Sequence, residues 1–219
     1  SNEHLRVFSD KDRAKKAQWN YDPSREHLNF EIGKGGVVMK VNKMKSIPQR
    51  IAENLEARGI KDPNLSLINQ GKKPYFKTVA NFILGGNREV MRNLAFGNQN
   101  VNWEQGADNT QLKRMPEIEN WAKDAYRFMC KKHGEKNIAA FVVHLDEANP
   151  HIHCTVLPIT PKEKFSFLGV FLDGHDDKEA LSRHMTNLHT EFANEVGIKY
   201  GLERGDSIKE TGAEHRTTE

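Results

Sequence analysis

Residues 141–158 read FVVHLDEANPHIHCTVLP, and this stretch decides the fold. Ile138 to Val143 (IAAFVV) is short, apolar and rich in β-branched residues, which predicts a buried strand. Asp146 to Pro150 carries turn chemistry, and Ile152 to Ile159 returns as a second strand. Two strands joined by so short a turn must run antiparallel. Side chains alternate across a strand, so His151 and His153 share one face and Cys154 points into the core from the other. His144 ends the first strand, and the hairpin gathers three imidazoles at one end. Neutral imidazoles suit borderline divalent cations, and three protein ligands leave coordination positions open for water and substrate. Asp146 and Glu147, in the turn, are either a fourth ligand or acceptors that orient an imidazole.

Helical periodicity surrounds this hairpin. Upstream, Ile118, Trp121, Ala122, Ala125, Phe128 and Met129 form one stripe that begins at Pro116 and closes at His133-Gly134, placing Trp121 in the core. Downstream, Leu181, Met185, Leu188 and Phe192 mark a helix over residues 177–196. Further upstream, FKTVANFIL (Phe76 to Leu84) reads as a strand closed by Gly85-Gly86, followed by a helix with Val90, Met91 and Leu94 on one face. Ser46 as N-cap, Pro48 in the first turn, Ile47, Ile51 and Leu55 four residues apart, and Gly59 at the end define another helix. His27 to Phe30 is a short ordered stretch, Gly33-Lys34-Gly35-Gly36 a loop, and Lys11 to Lys16 a charged helix or arm. The sum is an α/β (α+β) fold on a central antiparallel sheet flanked by helices.

Composition removes several classes. With 219 residues, one domain is the natural reading, and a core forms without disulfides. Two cysteines, Cys130 and Cys154, make no disulfide framework, which favours a reducing, cytoplasmic setting. No membrane-length apolar run and no signal peptide open the chain. Charge is uneven: residues 1–78 carry 16 Lys and Arg against 9 Asp and Glu, and the remainder is net acidic. Between Ile32 and Ala52 there are five cations, Lys34, Lys40, Lys43, Lys45 and Arg50, and no anion. Such a segment favours a polyanion, since each neutralised phosphate releases condensed counterions, although a solvated basic face has the same composition.

The run His144-x-Asp146-Glu147-x-x-Pro150-His151-x-His153 resembles the third motif of the plasmid mobilisation/recombination (Mob/Pre, MobV) relaxases, HUH endonucleases named for a His-hydrophobic-His pair. Asp22-Pro23-Ser24-Arg25-x-His27-Leu28-Asn29-Phe30-Glu31 is similar to the second motif, and Tyr200-x-Leu202-Glu203-Arg204-Gly205 to the end of the catalytic domain. The resemblance implies a relaxase catalytic domain over residues 1–205, with a basic DNA-contacting segment at 32–78 and a polar tail at 206–219. It implies a divalent cation, Mn²⁺ or Mg²⁺, on His144, His151 and His153. The implied partner is an origin of transfer, single-stranded at the nick site and duplex or hairpin beside it, together with other mobilisation proteins. DNA contacts fall to Arg25, Asn29, Lys40, Lys43, Lys45, Arg50 and Arg204.

The nucleophile stays open. Phe30 stands where the second motif has Tyr, and it has no hydroxyl to attack with. The resemblance implies a His nucleophile in an N-terminal His-x-x-Arg-like motif, which here points to His4, with Arg6 two residues on and Glu147 in the turn, as one catalytic set; Tyr21 and His27 are the alternatives. Trp103, in a polar loop, either caps the core or stacks on a base, and His175, His184 and His189 read as surface residues. Competing readings are an HUH replication initiator or transposase, a three-His or cupin-like metalloenzyme acting on no DNA, and a binding module with a structural metal.

Overall fold

The computed structural model describes residues 3–17, 21–175 and 177–205; the expected polar tail at 206–219 lies outside them. Five strands, β1 (Phe30–Gly33), β2 (Val37–Lys40), β3 (Ala80–Leu84), β4 (Ile138–His144) and β5 (His151–Val156), form one sheet. Their order is β2-β1-β4-β5-β3, and every pairing is antiparallel. Seven helices accompany them among the described residues: α1 (Asp10–Ala17), α2 (Ile47–Ala57), α3 (Leu65–Asn69), α4 (Arg88–Phe96), α5 (Pro116–His133), α6 (Phe167–Phe171) and α7 (Lys178–Glu195). None of the described helices is long and apolar enough to cross a membrane.

Alternation along β4 and β5 divides the core. Phe141, Val143, Ile152 and Cys154 face the larger layer, which holds Met91 of α4, Trp121, Phe128 and Met129 of α5, and Leu188 of α7. Ala140 and Val142 face the other side, where Leu5 and Ile47 cover them. The imidazoles belong to this second face, which among the described residues Leu5 of the N-terminal segment and Ile47 of α2 help to cover. A five-stranded open sheet is no cupin barrel, which removes that rival.

Three departures from the sequence reading have local causes. The strand expected over 76–84 starts at Ala80, because the Asn64 side chain takes the Tyr75 and Phe76 N–H groups at 3.0 and 2.9 Å and donates to the Phe76 carbonyl. Backbone held that way cannot enter a ladder. The strand expected to reach Ile159 stops at Val156, where the Leu157 N–H turns to the Asn137 carbonyl and the Asn137 side chain donates to the Ile159 carbonyl. Where His27 to Phe30 reads as an ordered stretch and Gly33 to Gly36 as a loop, Phe30–Gly33 and Val37–Lys40 form the β1–β2 hairpin. Its strands have four residues each, and Gly35 and Gly36 supply the left-handed backbone of the turn at φ +75° and +77°. The Ser46 cap, by contrast, is as expected, completed into a capping box by Gln49.

His133 ends α5 between Phe82 and Phe171, with ring centroids 5.5 and 5.3 Å away. Burial, reinforced by His184 and Lys132, pushes its pKa from 6.5 down to about 4. His184 is half-buried, its ring meeting Phe171, whereas His175 and His189 are exposed as expected. Below pH 6.5 the unfolded chain binds a proton at His133 that the folded chain refuses, so stability falls as pH drops towards 4, by roughly 3 kcal/mol from this group. Urea unfolding across that window should show the fall, and His133→Leu should flatten it by about one proton.

Candidate metal centre

Pairing of β4 with β5 sets His144 opposite His151 and Val142 opposite His153, so all three imidazoles emerge on one face. Ring centroids are 5.4 Å apart for His144 and His151 and 4.7 Å for the other two pairs. The ligand nitrogens lie within 4.8 Å of one another. His144 is fully buried, while His151 and His153 are half-buried and open outward.

The protonation pattern suits a cation. His151 Nδ1 donates to the Asn149 carbonyl at 2.9 Å, so its Nε2 is an acceptor and takes the His153 Nε2–H at 2.9 Å, a proton that a cation shared by the two nitrogens would displace. His144 Nε2 donates to the His4 carbonyl at 2.8 Å, so its Nδ1 is a buried lone pair with no hydrogen-bond partner. Burial holds His144 well below the usual histidine range, and the Arg6 charge adds to the effect. Burial and the neighbouring His151 and His4 bring His153 to about 3. Metal ligation requires neutral imidazole, and these residues fit a divalent cation.

The two acids of the turn are otherwise engaged. Arg6, 2% exposed, donates from Nε and Nη2 to Asp146 at 2.8 and 2.6 Å and from Nη2 to Glu147 at 2.6 Å. Burial opposes the guanidinium charge, but these carboxylates outweigh it and raise the Arg6 pKa. Asn29 donates to Asp146 at 2.6 Å and accepts from the Leu145 N–H at 2.7 Å. Asp146 thus orients no imidazole; it anchors Arg6 and Asn29. Glu147 Oε1 lies 3.8 Å from His144 Nδ1, outside hydrogen-bond distance. Arg6 is correspondingly a positioning residue, since its guanidinium is buried on these acids.

Arg6 also fixes the segment that carries His4. The His4 ring stacks on His153 with centroids 4.2 Å apart and planes inclined by 24°. The alternative nucleophiles have partners of their own, and Tyr21 stands beside the turn, bridged through its backbone to Glu147 with the Arg6 guanidinium 5.4 Å from its ring. The Tyr21 hydroxyl donates to Glu26, and His27 contacts the Ser24 and Leu112 carbonyls at 2.8 and 3.2 Å.

The expected DNA contacts separate into two groups. Arg25 is buried, bonded to Asp22 at 2.8 Å and to the Leu145 carbonyl at 2.9 Å, and Asn29 is buried on Asp146. Both are held by protein partners and support the turn. Arg50 is spent on Glu31 and on the Asn42 and Lys45 carbonyls. Lys40, Lys43 and Lys45 are exposed; Lys43 pairs with Glu26, and Lys45 with Glu53 at 2.8 Å. Arg204 is exposed and donates to Thr190 at 2.8 Å. Sequence reading missed Asn149 and Arg92; Arg92 donates to the Ala148 carbonyl at 2.8 Å from 56 residues away, and no motif signals it.

This sheet, with its imidazole cluster, has the fold of a relaxase domain. Over 99% of this chain and 86% of its counterpart, it superposes with a TM-score of 0.62 and 20% identity on the MobM relaxase domain, solved with manganese and plasmid oriT DNA. The sequence pattern of the plasmid recombination enzymes matches residues 40–219, and the chain belongs to this Mob/Pre family. Staphylococcus aureus plasmid recombination enzyme type 1 is 34% identical over 100 residues, 46% of this chain and 23% of that protein. The Lactiplantibacillus plantarum plasmid recombination enzyme is 27% identical over 143 residues, 64% of this chain and 37% of that protein. The match thus spans well under half the length of these relatives.

Proposed function

We propose that residues 1–205 form a divalent-metal-dependent relaxase domain that cuts one DNA strand at an origin of transfer and keeps the 5′ phosphate covalently. The observation that carries this reading is His4, stacked at 4.2 Å on one member of a three-imidazole cluster. His144, His151 and His153 would hold Mn²⁺ or Mg²⁺. When bound, such an ion polarises the scissile phosphate and offsets the charge developing on it. A nitrogen lone pair of His4 attacks phosphorus, the P–O3′ bond breaks, and its electron pair leaves on the 3′ oxygen, which takes a proton from water. The N–P bond conserves the phosphate's reactivity, so a 3′ hydroxyl can later rejoin the strand. Arg6, Asp146 and Asn29 hold the segment and turn in register while this happens.

The test is cleavage of labelled single strands from the origin of the element that encodes the chain. Metal-dependent cutting at one position supports the reading, and metal-independent or absent cutting of every origin strand opposes it.

Lys40, Lys43 and Lys45 contact phosphates of the adjoining duplex or hairpin in this reading. Their pairs with Glu26 and Glu53 are solvent-exposed and readily exchanged for phosphate. Replacing Lys40 and Lys45 with alanine should lower the slope of log K against log salt by about 2, at roughly 0.9 per duplex phosphate. Base preference should not change, because phosphate contacts position without reading sequence. An unaltered slope would make these lysines a solvated face.

A further inference from the structure

Beside the turn that leads into His151, a second constellation joins α4, the loop after it and the Pro23–Leu28 segment. The Arg92 guanidinium carbon lies over a Trp103 ring, 3.5 Å from its centroid, at van der Waals contact. Arg25 approaches the same side chain at 4.6 Å, and Phe96 meets it edge-on at 5.8 Å. Trp103 nevertheless remains 40% exposed. Arg92 Nε donates to the Ala148 carbonyl at 2.8 Å, which ties the guanidinium to the loop between His144 and His151.

That hydrogen bond uses one edge of the fork and leaves the terminal amines for another partner. Arg25 has its carboxylate in Asp22, at 2.8 Å. Among the described residues, no carboxylate pairs with Arg92 or with Arg88, one turn earlier on α4. Burial, together with the charges of Arg88 and Arg25, lowers the Arg92 pKa, so an anion here would relieve an existing repulsion. An orientation-fixed guanidinium matches the paired oxygens of a phosphate. The exposed part of an indole is a surface on which any unpaired base can stack, whereas bases within a duplex are inaccessible to it.

We propose that Arg92, stacked on Trp103 and tied to Ala148, is a phosphate clamp for single-stranded DNA, with Trp103 as the adjoining base platform. The inference rests on the DNA-cleaving reading above and adds a subsite to it. Arg92 and Trp103 position the strand beside the imidazoles; neither touches the reacting atoms. Arg88 adds charge at the mouth of the subsite.

Anisotropy of a short fluorescein-labelled mixed-sequence single strand, with Mn²⁺ present, tests this. Arg92→Ala should weaken binding about tenfold, as expected for loss of a charged hydrogen bond. It should also lower the salt slope by about 0.7, the single-strand value per phosphate. Arg92→Lys should restore the slope, because it restores the charge. Trp103→Ala should weaken binding about tenfold with the slope unchanged, because it removes stacking and not charge. Calorimetric Mn²⁺ affinity should match wild type in all three. Wild-type binding by both alanine variants, or loss of Mn²⁺ affinity in Arg92→Ala at an unchanged salt slope, would overturn the clamp and leave Arg92 a brace for the turn. Failure of the metal-loaded wild type to bind any strand would instead sink the DNA reading itself.

Discussion

Replacing His151 and His153 together with alanine should abolish divalent-cation binding, a loss of at least 100-fold in affinity on the scale at which even residues that merely orient a ligand cost 10- to 100-fold. Titration calorimetry with Mn²⁺ should go from one site per chain to none. The fold should persist, since both rings are half-buried and stand on the thinly covered face of the sheet, away from the Trp121 layer. The apo variant should therefore retain its circular dichroism spectrum and thermal transition. Unchanged stoichiometry in a folded double variant would move the site elsewhere, with His144, Asp146 and Glu147 as the other cluster of suitable geometry.

Arg6→Ala is the second large effect. Asp146 is wholly buried, and its oxygens accept two hydrogen bonds from Arg6 and one from Asn29. Removing Arg6 strands that charge away from water with one donor remaining, which should cost about 3–5 kcal/mol in urea unfolding at neutral pH. Part of the cost comes from Leu5, which would no longer be held against Val142 and Ile47. Arg6→Lys should recover only part of the loss, because an ammonium cannot span Asp146 and Glu147 as the guanidinium fork does. A loss below about 1 kcal/mol, the range of an exposed pair, would mean that Asp146 is not an isolated buried charge.

Much of this architecture was legible because strand periodicity is strict. A period of two placed His151 and His153 on one face and Cys154 in the core, and the short turn left His144 nowhere to go but beside them. The α5 stripe was equally plain, since that helix buries the whole of it, whereas of the expected α7 stripe Leu188 is buried, Met185 and Phe192 are half-buried and Leu181 is exposed. The β1–β2 hairpin was not: β2 is an edge strand with Val37 58% and Met39 41% exposed, so its composition carries no inward-outward contrast. Nor was the support of the site legible. Arg6 reaches Asp146 across 140 residues and Asn29 reaches it across 117, and such pairings leave no spacing to read. For the same reason the protein partners of Arg25, Asn29 and Arg50 were not legible. A positive or amide side chain has the same sequence signature whether it meets a phosphate or a buried carboxylate.

The central claim is that His4 is the nucleophile at the three-imidazole centre. The most direct measurement is the intact mass of the chain after incubation with Mn²⁺ and its origin single strand, followed by peptide mapping and acid treatment of the adduct. The account predicts a covalent 5′-phosphate adduct on the peptide containing His4, cleaved by mild acid as a phosphoramidate is, absent in His4→Ala and unchanged in Tyr21→Phe. His4→Ala should still bind Mn²⁺, because His4 is not among the three proposed ligands. An acid-stable adduct that persists in His4→Ala and vanishes in Tyr21→Phe would contradict the account and make this chain a tyrosine relaxase.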